Sequence, residues 1–387
     1  MNLERYQYFT RAEILACFVD PQPLDETGWH LSSNRLIGLF AVGRRPPEIH
    51  FCNNNSFHWY GEPCAALREK FEKFRELDGG HLFIKSPASD RYAYVADITH
   101  LGMYGGGPDR QEACMDIAPQ VPSALLQELG GLYLHPEGDA AMNRAVAALR
   151  AAKTADERFA AFQPFVEFWR GPVEKSQGLS ESRLAKSPLP IPAILAQLYR
   201  WAGDCDDVMS AGYLSICKPS KLAADKEGFV PFCIECQWCG NYFLRADAMQ
   251  QDDPEVYSDE CGEPNFHATG IRVSQFLWAY FIMYHAPNGP ISYFANVEPD
   301  EFQQLKQWLN PLPVLAPGSQ ACRGIQAYNP EVSSDDEAHV FALDGIMGSL
   351  TQDPYARQIT FAGKTEAAVE SFIARLPFER DRLQDAY

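Results

Sequence analysis

Basic residues are scarce in this chain, and long apolar runs are absent from it. Of its 387 residues, 33 are Lys or Arg and 51 are Asp or Glu, which gives a formal net charge of −18. A nucleic-acid-binding surface is expected to be basic, so we predict no nucleic-acid partner, and any protein partner is expected to be basic. The longest apolar run, residues 276–284, is far shorter than the roughly 20 residues that cross a bilayer. We therefore also predict no association with a membrane.

The sequence lacks the common catalytic and nucleotide-binding motifs. The glycine-rich stretch GMYGGGPD at residues 102–109 matches neither a phosphate-binding loop nor a dinucleotide fingerprint, so we predict a flexible loop there. Residues 178–182, GLSES, lack the second glycine of a nucleophile elbow. No His-Glu-x-x-His segment occurs, and the nine histidines are dispersed singly. None of these features points to an active site.

The amino-terminal residues and the cysteines indicate a cytoplasmic protein. The opening sequence MNLERYQYFTRAE is charged and lacks the apolar segment of a secretion signal. The 11 cysteines are odd in number and irregularly spaced, which is typical of reduced thiols rather than of a disulfide framework.

The spacing Cys233-x-x-Cys236-x-x-Cys239, with Cys261 as a possible fourth ligand, is the strongest candidate for a metal site. However, apolar residues alternate along residues 230–238, which predicts a strand with one buried face. In a strand, Cys233 and Cys239 lie roughly 20 Å apart at about 3.3 Å per residue, so one ion cannot bind all three sulfurs. We predict no metal and no cofactor. A zinc-dependent enzyme or regulator that uses the four cysteines is the alternative hypothesis.

A second polar cluster contains Cys52, His58 and Cys64. A nucleophilic Cys–His pair would need two of these side chains to meet in space. Three consecutive asparagines at residues 53–55 instead predict a turn. The cluster remains an alternative enzyme site.

The chain is long enough for two domains. Residues 1–135 predict an α+β amino-terminal domain to which we assign no family. Its predicted helices are residues 11–19 and 62–77, and its predicted strands include residues 35–42, 48–52 and the alternating segments HLFIK and RYAYVADI. Residues 136–154 predict a helical connection.

Residues 155–387 predict a second α+β domain in which helices lie at the ends of a strand-rich middle. The predicted order is helices at 159–170 and 191–202, strands within 230–244, an acidic loop, a strand near His267, the apolar helix at 276–284, and a final β then α segment at 340–376. Since the helix at 276–284 is apolar on every side, we expect it to be buried in the centre of the domain.

Four segments of the second domain match a known family in the same order. They are FVEFWRGP at residues 165–172, LPIPAILAQLYRWAG at 189–203, FVPFCIECQWCGNYF at 229–243, and DDPEVY at 252–257 with the following helix at 273–284. Together they resemble the SUKH superfamily, the fold of yeast cell-wall-synthesis regulators and of many bacterial immunity proteins. Glu235 and Gln237 match the family pattern, whereas Cys236 and Trp238 depart from it. Since Cys236 and Cys239 stand where the family has ordinary residues, the resemblance gives no support to a metal at the cysteines.

The resemblance implies a SUKH-like mixed sheet with flanking helices, preceded by the separate amino-terminal domain. It also implies a protein that is not an enzyme. Bacterial members of the family are mostly immunity proteins that bind and neutralise a cognate toxin, often a nuclease or a deaminase. The charge pattern is compatible with this role, because residues 246–271 contain no Lys or Arg and seven acidic residues.

We predict that an acidic and aromatic surface in this segment binds a basic toxin domain. The candidate partner-binding residues are Trp238, Asp252, Asp253, Glu255, Tyr257, Asp259, Glu260 and Glu263. Trp238 and Tyr257 are the candidate anchors. The alternative interpretation is a solvated acidic loop without a partner.

Overall fold

The chain divides into two units, Met1–Tyr133 and Leu134–Tyr387. The computed structural model describes residues 8–18, 20–23, 28–32, 35–41, 49–51, 57–59, 80–85, 90–98, 101–105, 111–115, 133–211, 214–235, 241–260, 263–287, 289, 291–315, 337–352 and 356–385. Helices and strands both contribute to the core of the second unit, and the protein belongs to the α+β class.

The first unit contains two sheets and one short helix in the residues described. Its elements are β1 (Tyr8–Thr10), α1 (Arg11–Ala16), β2 (Gln22–Pro23), β3 (Trp29–Ser32), β4 (Arg35–Ala41), β5 (Ile49–Phe51), β6 (Phe57–Trp59), β7 (Gly80–Lys85), β8 (Arg91–Ile98), β9 (Leu101–Gly105) and β10 (Gln111–Met115). One sheet has the order β1-β8-β7-β4-β3-β2, and the other has the order β5-β6-β10-β9. β4 and β7 are parallel, and the remaining pairs in both sheets are antiparallel.

Several predictions for the first unit are tested by these elements. The strands predicted from HLFIK and RYAYVADI are confirmed as β7 and β8. The prediction of a loop at residues 102–109 is wrong for the first half of that segment, because residues 102–105 belong to β9 and pair with β10. The predicted helix at residues 62–77 lies outside the described residues.

The second unit contains two further sheets and most of the helices described. Its elements are α2 (Asp139–Ala151), α3 (Ala155–Arg170), α4 (Glu181–Leu184), α5 (Ala193–Ala202), α6 (Asp206–Met209), β11 (Ser210–Ala211), β12 (Leu214–Ile216), β13 (Phe229–Glu235), β14 (Tyr242–Arg245), β15 (Glu255–Glu260), β16 (Glu263–Arg272), α7 (Val273–His285), β17 (Ile291–Asn296), α8 (Pro299–Leu309), β18 (Glu337–Leu343), β19 (Ile346–Gln352), β20 (Arg357–Gly363), α9 (Glu366–Ile373) and β21 (Gln384–Asp385).

Helices α2 and α3 pack together within this unit. The predicted helical connection at residues 136–154 contains α2, whose buried residues Met142, Val146 and Leu149 join the main core of the second unit. α2 is therefore a structural part of that unit. Thr154 is the N-cap of α3, where its hydroxyl and the carboxylate of Glu157 form a capping box.

The central sheet is an antiparallel meander in the order β11 to β16. The predicted strands within residues 230–244 are confirmed as β13 and β14, while the predicted acidic loop is partly wrong because β15 and the start of β16 lie within it. Residues in β13 and β14 alternate between an inner face, which packs on α7, and an outer face. Phe232 and Tyr242 lie on the inner face, with ring centroids 5.1 and 4.6 Å from that of Phe276 in α7.

α7 occupies the centre of the second unit, as its apolar sequence predicted. It packs against α3 and contacts strands of both sheets. Trp278 of α7 is fully buried, lies 4.7 Å from the ring of Phe165, and donates a hydrogen bond to the carbonyl of Arg158 at 3.1 Å. The second sheet, in the order β18-β19-β20-β17-β21, adds a smaller core with α8 and α9.

Candidate partner-binding surface

The predicted partner-binding residues separate into three groups in the structure. Asp252 is exposed, and Glu255 and Tyr257 are half-buried. Glu260 and Glu263 lie at backbone positions opposite each other at the end of the β15–β16 hairpin. Trp238 lies outside the described residues. The two remaining residues, Asp253 and Asp259, are buried.

Asp253 stabilises the fold and does not form part of an accessible surface. Its carboxylate accepts hydrogen bonds from the backbone N–H of Ser274 at 2.8 Å and from the Ser274 hydroxyl at 2.7 Å. The guanidinium of Arg158 forms a salt bridge with it at 3.2 Å. Ser274 lies in the first turn of α7, where backbone N–H groups lack helical acceptors and a negative charge is favourable. The prediction that Asp253 is available to a partner is therefore corrected.

Asp259 has a similar structural role within the central sheet. Its two carboxylate oxygens accept hydrogen bonds from the backbone N–H and the side-chain amide of Asn241, at 2.8 and 3.0 Å. Asn241 directly precedes β14, so these bonds hold the start of β14 against β15. The prediction that Asp259 binds a partner is also corrected, because a buried carboxylate with two donors is occupied by its own chain.

The outer face of the central sheet carries a cluster of four aromatic rings, which we call the aromatic patch. Phe229 stacks on Phe266 with centroids 3.9 Å apart. Tyr257 lies 5.4 Å from Phe229, and Phe243 lies 4.8 Å from Phe266. Phe229, Tyr257 and Phe266 are half-buried, whereas Phe243 is buried beneath them. The patch therefore brings together four neighbouring strands, β13 to β16.

Charged residues flank the aromatic patch at the end of the sheet where β14 leads into β15. Asp247 and Asp252 lie in this connection, and Glu255 is the first residue of β15. We call these three residues the acidic rim. Burial raises the pKa of Tyr257, and the nearby charge of Glu255 raises it further, whereas Arg245 lowers it. Glu255, Arg245 and Asp247 therefore lie close enough to Tyr257 to influence its pKa.

Arg245 connects the patch to the rim. Its guanidinium carbon lies 5.1 Å from the ring centroid of Phe229, which is a cation–π contact. The same guanidinium donates to the carboxylate of Asp247, with a distance of 3.1 Å from Nη2 to Oδ2. The chain's own guanidinium of Arg245 therefore lies over the ring of Phe229 while it is paired with the carboxylate of Asp247.

Three patch residues, Phe229, Phe243 and Phe266, were missed by the sequence prediction. A signal was present, because Phe229 and Phe243 occupy the alternate positions to the core residues of β13 and β14. A strand that is apolar on both faces indicates either burial on both sides or an apolar outer surface. Phe266 gives no such signal, since its contact with Phe229 depends on the pairing of four strands.

Cys233 is held as a neutral thiol in the core. It is fully buried in β13 near Cys217, and burial raises the pKa of its thiol well above the ordinary value. Within the described ranges no three His, Cys, Asp or Glu side chains lie close enough to hold a metal ion. Cys236, Cys239 and Cys261 lie outside those ranges.

The alternative Cys–His site also falls largely outside the described residues. Cys52 and Cys64 both lie outside the described residues. His58 is in β6, where it pairs with His50 of β5 and with Cys114 of β10.

Comparison of this chain with protein-family models, with curated proteins and with solved structures finds no match. The resemblance to the SUKH superfamily therefore rests on the sequence motifs. No helix in the described part of the chain has the length and apolar character needed to cross a membrane.

Proposed function

We propose that this chain is a non-enzymatic, cytoplasmic immunity protein with a SUKH-like second unit. It binds and neutralises a cognate bacterial polymorphic toxin that is delivered by cell contact or by a secretion system. The toxin domain is basic and acts as a nuclease or a deaminase. The observation that carries this proposal is the aromatic patch beside the acidic rim on the outer face of the central sheet.

The aromatic patch supplies the apolar part of the proposed interface. Contiguous apolar surface that stays accessible marks interaction sites. Tyrosine and phenylalanine side chains bury a large area with little loss of side-chain entropy, and Tyr is frequent among the residues that dominate binding energy. Tyr257 also carries a hydroxyl that can hydrogen-bond a partner at the edge of the patch.

The acidic rim supplies the electrostatic part. Enzymes that act on nucleic acids bind phosphates through basic surfaces. A carboxylate-rich surface is complementary to such a site and speeds the encounter of the two proteins. The net charge of −18 extends this attraction beyond the rim itself.

The test is protection of cells against a candidate toxin domain, taken from a gene adjacent to the one that encodes this chain. Cells that express the toxin domain should grow only when the wild-type chain is co-expressed. The double variant Tyr257→Ala and Phe266→Ala should lose protection and bind the purified toxin domain at least 100-fold more weakly. Tyr293→Ala serves as the control, because Tyr293 is a half-buried tyrosine on β17 of the other sheet.

The zinc hypothesis predicts a different result. Elemental analysis of the purified chain should yield about one zinc per molecule if Cys233, Cys236, Cys239 and Cys261 form a site. Our proposal predicts less than about a tenth of an equivalent, because it assigns no metal to these four cysteines. Catalytic turnover without a protein partner would contradict the proposal directly.

A further inference from the structure

Arg170 carries a buried positive charge that is compensated by one exposed carboxylate. It is the last residue of α3, where the partial negative charge of the helix end favours a cation. Its side chain is only 8% exposed, and its Nη2 atom donates to Oδ2 of Asp207 at 2.5 Å. The side chain of Asp207 is 68% exposed. Because water screens an exposed carboxylate, this ion pair compensates the buried guanidinium only in part.

The other two nitrogens of the Arg170 guanidinium have no acceptor in the part of the chain that the structure describes. Nε and Nη1 are both fully covered, and neither has a hydrogen-bond partner there. The position of Arg170 at the end of α3 explains its charge but supplies no acceptor to these two atoms. Buried polar groups are nearly always hydrogen-bonded, and leaving one unpaired is costly, above all when the group is charged.

His285, the last residue of α7, adds a third covered nitrogen. Its Nε2 atom also has no hydrogen-bond partner among the described residues. Burial lowers the pKa of His285, the charge of Asp207 raises it, and the charge of Arg170 lowers it further. Both charged side chains therefore lie close to the imidazole. We call Arg170, Asp207 and His285 the polar cluster. It extends from the surface at Asp207 to the covered nitrogens of the other two side chains.

Cys205 lies beside the polar cluster but does not complete it. It is 1% exposed and directly precedes α6, the helix that carries Asp207. Burial raises the pKa of its thiol, the charge of Arg170 lowers it, and that of Asp207 raises it. A neutral thiol is only a weak acceptor. The guanidinium therefore gains little from this neighbour.

We propose that the polar cluster binds a small monovalent carboxylate, such as formate, between Arg170 and His285. This inference does not depend on the proposed function, since it adds a small-molecule site rather than a protein partner. The two oxygens of a carboxylate accept charge-assisted hydrogen bonds from the guanidinium. In its Nε2–H form the imidazole of His285 donates to the same ligand.

Other anions fit the polar cluster less well. The N–H groups of a guanidinium point in fixed and different directions. Chloride offers them a single acceptor atom, whereas a carboxylate offers two oxygens. A phosphate dianion would bring a second negative charge close to Asp207, which is unfavourable. Size and charge together therefore select a small planar monoanion.

The experiment titrates the full chain with sodium formate at constant ionic strength, with sodium chloride as the matched salt. A ligand that binds only the folded chain raises its unfolding temperature in a concentration-dependent way. Formate should raise the unfolding temperature of the wild type, and chloride should not. Isothermal titration calorimetry should give saturable binding of formate with a dissociation constant on the order of 1–10 mM, as expected for so small a ligand.

Three variants locate the site. Arg170→Lys keeps a positive charge near Asp207 but removes Nε and Nη1, so formate should bind about tenfold more weakly or worse. Asp207→Asn removes the competing carboxylate at the surface, so formate should bind at least about threefold more tightly. Arg183→Lys is the matched control, because Arg183 pairs with Asp204 in a more exposed salt bridge, and it should not change binding.

Each possible outcome supports or overturns the site. Equal stabilisation by formate and chloride would report salt alone and overturn it. Lack of saturable binding by the wild type up to about 100 mM formate would mean that internal water satisfies the covered nitrogens. Undiminished binding by a folded Arg170→Lys variant would place the formate elsewhere. If Arg170→Lys does not fold, Asp207→Asn decides, since unchanged or weaker binding by that variant would overturn the proposal. None of these results bears on the binding of a toxin.

Discussion

The inner and outer faces of the central sheet are built from the same residue types, yet they differ in burial. On the inner face Phe232 and Tyr242 have no exposed area and contact Phe276 of α7. On the outer face Phe229 and Phe266 stack on each other but remain half-buried. Aromatic packing on the inner face stabilises the fold, whereas rings on the outer face leave part of their apolar surface exposed.

The largest effect should come from truncating an inner-face ring. Phe232→Ala removes a fully buried ring and leaves a cavity against α7, so we expect a loss of about 3–5 kcal/mol in the free energy of unfolding. Phe266→Ala on the outer face should cost only about 1 kcal/mol, because its ring retains contact with water. Urea unfolding of both variants measures the difference. Equal losses would mean that the outer face is a second core rather than a binding surface.

The adjacent residues Asp252 and Asp253 show the same contrast between an exposed and a buried side chain, here with charged groups. Asp253→Asn weakens the salt bridge with Arg158 and leaves that largely buried guanidinium poorly compensated. We expect a loss of about 2–4 kcal/mol in the free energy of unfolding. Asp252→Asn changes an exposed carboxylate and should remain within about 0.5 kcal/mol of the wild type. A similar cost for both variants would show that the bonds around Asp253 contribute little.

The pH dependence of stability should also arise on the inner side of the central sheet, at the end of α7. His285 ends α7, where its ring stacks on Phe281 with centroids 4.2 Å apart and its Nε2 atom is fully covered without a hydrogen-bond partner among the described residues. Burial lowers the pKa of His285 to about 4, while the charge of Asp207 raises it and that of Arg170 lowers it. At pH values between the pKa of His285 in the unfolded chain, about 6.5, and its lower pKa in the folded chain, the unfolded chain binds a proton that the folded chain does not. Stability is therefore lost as the pH falls through this window.

Replacement of His285 isolates its contribution to the pH dependence of the free energy of unfolding. From pH 6.5 to pH 5 the wild type should lose about 1.5 kcal/mol more than His285→Gln does. Denaturant unfolding of both proteins at each pH gives the difference. An identical pH dependence of the two proteins would show that the ring is not held neutral in the folded state.

Local patterns in the sequence predict the inner face well. The alternation from Val230 to Phe232 predicted a strand with a buried side, and the uniformly apolar segment of α7 predicted a central helix. Each of these depends on neighbours within a few residues. The pairing of residues 102–105 with β10 was not predictable in this way, because glycine-rich segments have little strand preference of their own.

The roles of individual acidic residues depend on contacts between distant parts of the chain. Asp252 and Asp253 are neighbours with the same side chain, and nothing in their local sequence separates an exposed carboxylate from a buried one. The separation arises because Arg158 and Ser274, which lie 95 and 21 residues away, both contact Asp253. A sequence pattern therefore locates an acidic surface but does not identify which of its residues face a partner.

The smallest effect should come from the acidic rim on the outer face of the central sheet. It should change the rate of binding to the toxin domain rather than the free energy of unfolding. Neutralising the acidic rim with Asp247→Asn, Asp252→Asn and Glu255→Gln should leave the free energy of unfolding nearly unchanged, because two of these carboxylates are exposed, one is half-buried, and such surface carboxylates contribute little to stability. Association with the toxin domain should slow about tenfold at low ionic strength, since charged surfaces accelerate encounter. Stopped-flow fluorescence measures this rate.

A matched variant decides whether the position of these charges matters. The control neutralises three exposed acids near the other sheet of the second unit, Asp300→Asn, Glu379→Gln and Asp381→Asn. It changes the net charge equally, so an equal slowing would assign the effect to overall charge and remove the rim from the proposed interface. A larger slowing by the rim variant, reduced at about 1 M salt where the screening length is only about 3 Å, would locate the encounter at the outer face. Stability and recognition would then be divided between the two sides of one sheet.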